Sequence, residues 1–148
     1  NGYITGAYIY NKMGLTEQVA TTITIATPNP VRRFRFKNLD IECVKAYCMV
    51  YPDESLVPYL RLLDAIKDMK RIPGTTGQDI YNRVKSQYFN GYSLPELEKI
   101  VSLAKSYPPR VRKVVADILG DIRQTVLQTE MAKTILPTTR FNLDYKTA

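Results

Sequence analysis

The 148-residue chain is predicted to adopt an α+β fold: a small antiparallel sheet of about three strands, then a cluster of four or five helices. Two observations predict it. Apolar and β-branched residues recur with a period of two between Val19 and Tyr51, and from Tyr59 to Ile135 they recur at i, i+3, i+4 and i+7. No internal repeat or low-complexity linker interrupts this plan, so residues 1–148 read as a single α+β domain. A chain of this size buries roughly 70% of its unfolded surface, and a core needs neither metal nor disulfide.

The opening Asn1 to Leu15 reads as a short helix, with Thr5 accepting from free N–H groups at its start and Gly14 taking a left-handed turn at its end. Val19 to Thr27 (VATTITIAT) alternates Thr with Ile23 and Ile25 and is the clearest strand. Pro28, Asn29 and Pro30 break it, because proline cannot donate to a ladder. In Arg32 to Lys37 (RRFRFK), Phe34 and Phe36 share one face, expected to be the core face, and Arg33, Arg35 and Lys37 the other. A turn at Asn38 to Asp40 leads into a third strand, Ile41 to Tyr51. Three consecutive strands imply an antiparallel meander.

Helical spacing then takes over. Tyr59, Leu62, Leu63, Ile66 and Met69 define a first helix, with Pro58 in its first turn and its end before Pro73-Gly74. Thr76 and Asp79 open a second, carrying Ile80, Val84 and Tyr88 and closed by Gly91. Ser93 and Glu96 have capping-box spacing, Pro95 suits the first turn, and Tyr92 can staple onto Leu97, so a third helix begins there. Pro108-Pro109 stops it and prepares a fourth, whose stripe is Val111, Val114, Val115, Ile118 and Ile122, with a bend at Gly120. Val126, Leu127, Met131 and Ile135 continue the spacing. After Pro137, Thr138 to Tyr145 reads as a short returning strand or an extended tail.

Charge and composition restrict the chemistry. Twenty-one Lys and Arg against fourteen Asp and Glu leave +7, which favours anionic partners. The chain has no histidine, which removes Ser-His-Asp and Cys-His nucleophile pairs, imidazole zinc ligands and histidine acid–base work. Cys43 and Cys48, on opposite faces of one strand, would lie roughly 16 Å apart and cannot bridge each other. Two reduced thiols suit a cytoplasmic protein. No run approaches the roughly 20 apolar residues of a membrane span, and no signal peptide is recognisable. Because the chain opens at Asn1 with no initiator Met, an upstream segment is expected.

Asp40, Glu42 and Lys45 invite comparison with metal-dependent nucleases. The spacing is against it, since Glu42 and Lys45 are three apart in a strand and face opposite ways. Asp53, Glu54, Asp64 and Asp68 read as a solvated helix start and helix face. The glycines form no dinucleotide or phosphate-loop pattern. No catalytic residue, metal ligand or cofactor is therefore assigned. The candidate binding residues are two basic clusters, Arg32, Arg33, Arg35 and Lys37 on the second strand and Arg110, Arg112 and Lys113 in the fourth helix's first turns. Arginine forks match phosphate geometry. The same cations also suit an edge strand guarded against aggregation. Cations in a helix's first turn oppose its dipole, so Arg110 to Lys113 are expected to answer to something other than helix stability.

Four segments in this order, GYITGAYIYNKMGLTEQVATTITIAT, LLDAIKDMKRIP, YPPRVRKVVADIL and LPTTRFNLDY, resemble the AbiEi-like antitoxins of bacterial abortive-infection type IV toxin–antitoxin systems. The resemblance covers nearly the whole chain, as the region downstream of that family's N-terminal DNA-binding part. It implies a non-enzymatic transcriptional regulator for phage resistance. A winged helix, absent from this chain, would supply most of the operator-DNA contact, and the following domain would provide antitoxicity. The partner would be a nucleotidyltransferase-like toxin, countered without a stable complex. The alternatives are a metal-dependent nucleic-acid-processing enzyme using Asp40 and Glu42, and a plain protein-interaction domain.

Overall fold

A computed structural model describes residues 2–28, 32–48 and 53–148. Among the described residues, four strands and six α-helices follow one another as β1 (Tyr3–Thr5), α1 (Ala7–Lys12), β2 (Thr22–Thr27), β3 (Arg32–Phe36), β4 (Leu39–Lys45), α2 (Val57–Asp68), α3 (Gly77–Gln87), α4 (Leu94–Ala104), α5 (Pro109–Asp121) and α6 (Thr125–Ala132). The α+β class is as expected, and the details of the sheet differ.

The sheet order is β1-β2-β4-β3. β4 lies between β2 and β3, parallel to β2 and antiparallel to β3, so the sheet is mixed and the expected meander is corrected. Alternation identifies a strand but carries no information about its neighbour. The two-residue turn between β3 and β4 is Lys37-Asn38, one residue earlier than expected, with φ of 49° and 65°. Both central residues being left-handed gives a hairpin turn whose twist matches its strands. β4 also stops at Lys45, and Ala46 to Cys48 are not strand; the rest of the expected continuation, residues 49–52, lies outside the described residues, as do Asn1, Asn29, Pro30 and Val31.

The opening segment is corrected as well. Tyr3 to Thr5 forms an edge strand on β2, pairing Ile4 with Ile25 and Thr5 with Thr24, and only then does a helix begin. Gly6, not Thr5, stands at its start, with φ of 81°. A side chain at Gly6 would meet the Thr24 hydroxyl at 2.6 Å, so both backbone and space require glycine here.

The helices begin where local chemistry places them. Thr76 accepts from the Asp79 N–H, and Ser93 and Glu96 complete the reciprocal capping box at α4. α3 ends at Gln87, and Gly91 belongs to a following 3₁₀ turn rather than to α3 itself. Leu62, Leu63, Ile66, Ile80, Ile100 and Ile118 are among the side chains closing one helical core. Val126 is corrected from core to surface, because the short α6 buries only the Leu127 and Met131 side, an i, i+4 pair. Residues 138–145 form the extended tail of the two alternatives, and Tyr145 at its end is buried.

The helices lie against one face of the sheet. Tyr3 and Thr5 project from that inner face and reach α2. Phe34 and Phe36 point the other way, 37% and 55% exposed, which corrects their expected place in the core.

Candidate functional site

The inner face of the β3–β4 hairpin is a cross-strand charge lattice. Register places Arg33 opposite Glu42 and Arg35 opposite Asp40, and both pairs close as ion pairs, at 2.6 Å and 3.4 Å. The two acids weighed for metal chemistry are thus counter-ions of the basic strand. Lys45 lies on the opposite face, as its spacing from Glu42 requires. Among the described residues, no three acidic or cysteine side chains gather where a metal could be held. All five β3 residues are exposed, and exposed ion pairs of this kind exchange readily for another anion.

Arg32 and Lys37 carry no ion pair among the described residues; the Arg32 guanidinium lies 4.9 Å from the Phe34 ring centre and the Lys37 ammonium 5.4 Å from that of Phe36. The first basic cluster therefore divides between the faces: Arg33 and Arg35 inside, Arg32 outside, Lys37 at the tip.

The second cluster is not brought to the first. Arg110 pairs with Asp144 of the tail at 3.1 Å, and Lys113 with Asp117 one turn on at 3.0 Å. Arg112 donates to the backbone carbonyls of Tyr107 and Thr134. The unfavourable first-turn cations thus have an intramolecular explanation: Arg110 fastens α5 to the tail and Arg112 fastens it to the segment after α6, while Lys113 is paired within the helix. Arg112→Ala is expected to cost about 2 kcal/mol in urea unfolding, since it orphans carbonyls bonded to a charged donor.

Sequence reading missed a groove of about 580 Å³ between the inner sheet face and the end of α2. Thr5, Thr24, Arg33, Glu42, Lys67 and Arg71 are among its lining residues, and the last two both pair with Asp68, at 3.8 Å and 3.5 Å. Tyr10 donates to that same Asp68 carboxylate at 2.7 Å. The KDMKR run at 67–71 was the available signal, hidden by its reading as a helix end.

Asp64 is the largest correction to the polar residues. Expected on a solvated face, it is 2% exposed. Its Oδ2 accepts from Tyr3 Oη at 2.6 Å and Thr5 Oγ1 at 2.8 Å, and its Oδ1 from Tyr107 Oη at 2.7 Å. Burial raises its pKa above the usual carboxylate value, partly offset by these donors. Burial likewise raises the tyrosines Tyr3 and Tyr107, with the Asp64 charge adding to it. A perturbed carboxylate can mark catalysis. Here both oxygens are already engaged and the carboxyl does not line the groove, so its geometry is that of a fastening between β1, α2 and the α4–α5 connection.

Cys43 is buried and Cys48 half-buried, and both are free. Burial pushes the Cys48 thiol up, and it donates to the Leu103 carbonyl, which keeps it protonated rather than nucleophilic. No described helix is long and apolar enough to cross a membrane. No protein-family model matches this chain, and no curated protein or solved structure is significantly similar to it.

Proposed function

We propose that this chain is the antitoxin-type domain of a transcriptional regulator of the type IV toxin–antitoxin class, working in the bacterial cytoplasm by binding and not by catalysis. The observation that carries this reading is the β3–β4 hairpin, whose outer strand, exposed at every residue, presents Arg32, Arg33 and Arg35, with Lys37 at its tip. Four cations on one edge strand and its turn, in a chain of net charge +7, suit a polyanionic backbone. The order of the four segments that resemble the AbiEi-like antitoxins supports the same assignment. In this reading the hairpin adds phosphate contacts to those of an upstream winged helix, and the domain opposes a nucleotidyltransferase-like toxin. Arg110, Arg112 and Lys113 contribute through the shape of the helical body, given their internal bonds.

The test uses the full-length protein, including whatever precedes Asn1. Anisotropy with operator DNA should show affinity falling steeply with salt. Replacing Arg33 and Arg35 together by Gln should weaken binding about tenfold and flatten the salt slope by about 2, the share of two phosphate contacts. Unchanged affinity and slope would remove the hairpin from the interface. Failure of the wild-type protein both to bind its own promoter and to rescue cells from the adjacent toxin would end the regulatory reading.

A further inference from the structure

We infer that the outer face of the sheet is a docking surface for an acidic, amphipathic segment of a partner protein. The register alone composes this face. Ile4 and Ile25 stand in one row across β1 and β2, which continues through the buried Cys43 of β4 to Arg32 of β3. Ile23, Ile41 and Phe34 form the next row, and Leu39 with Phe36 the last. These rows are contiguous, because opposed residues of paired strands sit about 5 Å apart on the same side.

The helices take the inner face, through Tyr3 and Thr5. On the outer face, Ile4 is 38% exposed, Phe34 37%, Leu39 47% and Phe36 55%. Scattered apolar residues on a surface need no explanation, but an ordered patch rimmed by charge marks an interaction site.

The charge on this face identifies the occupant. Its strand residues include Arg32 and Lys45 and no acid, and Lys37 stands at the hairpin tip. Among the described residues none of the three has a carboxylate partner. Asp40 and Glu42, the hairpin's only acids, are held on the opposite face by Arg35 and Arg33. A second copy docking face to face would oppose cations to cations, a repulsive arrangement. A nucleic-acid backbone would satisfy the cations while setting phosphates against the isoleucine and phenylalanine rows. A partner segment with an apolar stripe between carboxylates satisfies both features.

This surface shares Arg32 and Lys37 with the hairpin of the regulatory reading, but that reading is tested at Arg33 and Arg35 of the inner face and this one at Phe36 and Lys45 of the outer face, so the two can fail separately. The chain contains no Trp, so a Trp placed in a peptide reports alone. The probe is a synthetic helix of about five turns, with Leu and one Trp along an i, i+3, i+4, i+7 stripe and Glu elsewhere. Its counterpart carries Lys in place of every Glu.

Titration of the protein into the acidic peptide should give a saturable blue shift, at least about tenfold tighter than for the Lys counterpart, a difference of about 1.4 kcal/mol. Phe36→Glu and Lys45→Glu should each weaken it about tenfold. Phe36 is more than half exposed, so its variant should unfold at an unchanged temperature; Lys45→Glu tests the charge without touching an apolar residue. No saturable binding, equal binding of both peptides, or binding insensitive to both substitutions would overturn the inference. A dimer in sedimentation equilibrium that Phe36→Glu dissolves would also overturn it, assigning the face to a second copy.

Discussion

Asp64→Ala is expected to lower unfolding free energy by about 4 kcal/mol, read as a shift of the urea midpoint with an unchanged m value. The substitution removes the common acceptor of three hydroxyls, from Tyr3, Thr5 and Tyr107, in a site only 2% exposed. Each orphaned buried donor costs roughly 1–3 kcal/mol, less whatever water enters. Tyr107→Phe removes one of the three and should cost about 1 kcal/mol. A loss below about 1 kcal/mol for Asp64→Ala would mean that the hydroxyls find other partners readily.

The same residue sets a pH dependence of unusual sign. Because folding raises the Asp64 pKa above 3.8, the folded state favours the protonated carboxyl. Its contribution is therefore fullest below that value and is lost as pH rises through the folded value. Asp121 behaves oppositely. Burial pushes it up, but hydrogen bonds from Tyr81, the Ala148 N–H and Lys85 outweigh this and lower its pKa. Its contribution is present above the ordinary carboxylate range and disappears as acid protonates it. The stability difference between wild type and Asp64→Asn should therefore shift against wild type on raising pH from acid. The difference between wild type and Asp121→Asn should grow over the same direction. Parallel pH profiles for both variants would contradict the assignment.

Tyr145→Ala is expected to cost about 3 kcal/mol in a single cooperative transition. The Tyr145 ring, 7% exposed, stacks on Tyr81 with centres 4.3 Å apart and planes within 10°. Its hydroxyl donates to Asp117 Oδ2 at 2.7 Å. Stacked pairs add about 1 kcal/mol to the burial of the ring itself. The rest of the tail is fixed beside it: Asp144 pairs with Arg110, and the Lys146 and Ala148 N–H groups donate to Gln78 and Asp121. Gly77 opens α3 where a Cβ would overlap the Asp144 carboxylate, so the tail's path depends on glycine there. Limited proteolysis should cut Tyr145→Ala within residues 136–148 before any other segment. An unfolding midpoint equal to wild type would show that the strap folds independently of the body.

These two residues mark where sequence reading ended. Asp64 sits on α2 with charged neighbours, and local spacing places it in solvent. The hydroxyls that donate to it lie 61, 59 and 43 residues away, so its burial belongs to the packing of β1 and the α4–α5 connection on α2. Tyr145 was visible only as part of an alternating segment. In the candidate interface, the identities of Arg32, Arg33, Arg35 and Lys37 were legible, and their distribution over two faces followed from alternation. Their counter-ions were not, because which strand lies beside β3 is a tertiary fact. Lys67 and Arg71 joined Arg33 at one groove only when the sheet met the end of α2.

By itself the sequence determined the α+β class, the positive charge, the lack of histidine chemistry and the helix starts at Thr76, Ser93 and Pro109. Those features come from composition or from bonds spanning three or four residues, such as Ser93 to Glu96. The tertiary structure decided the insertion of β4 between β2 and β3, the burial of Asp64, the docking of the tail and the outward aspect of Phe34 and Phe36. The physical reason is that each of these is chosen by surfaces far apart in the chain competing for the same neighbours, and periodicity, which records only what a segment can bury, does not name the surface that buries it.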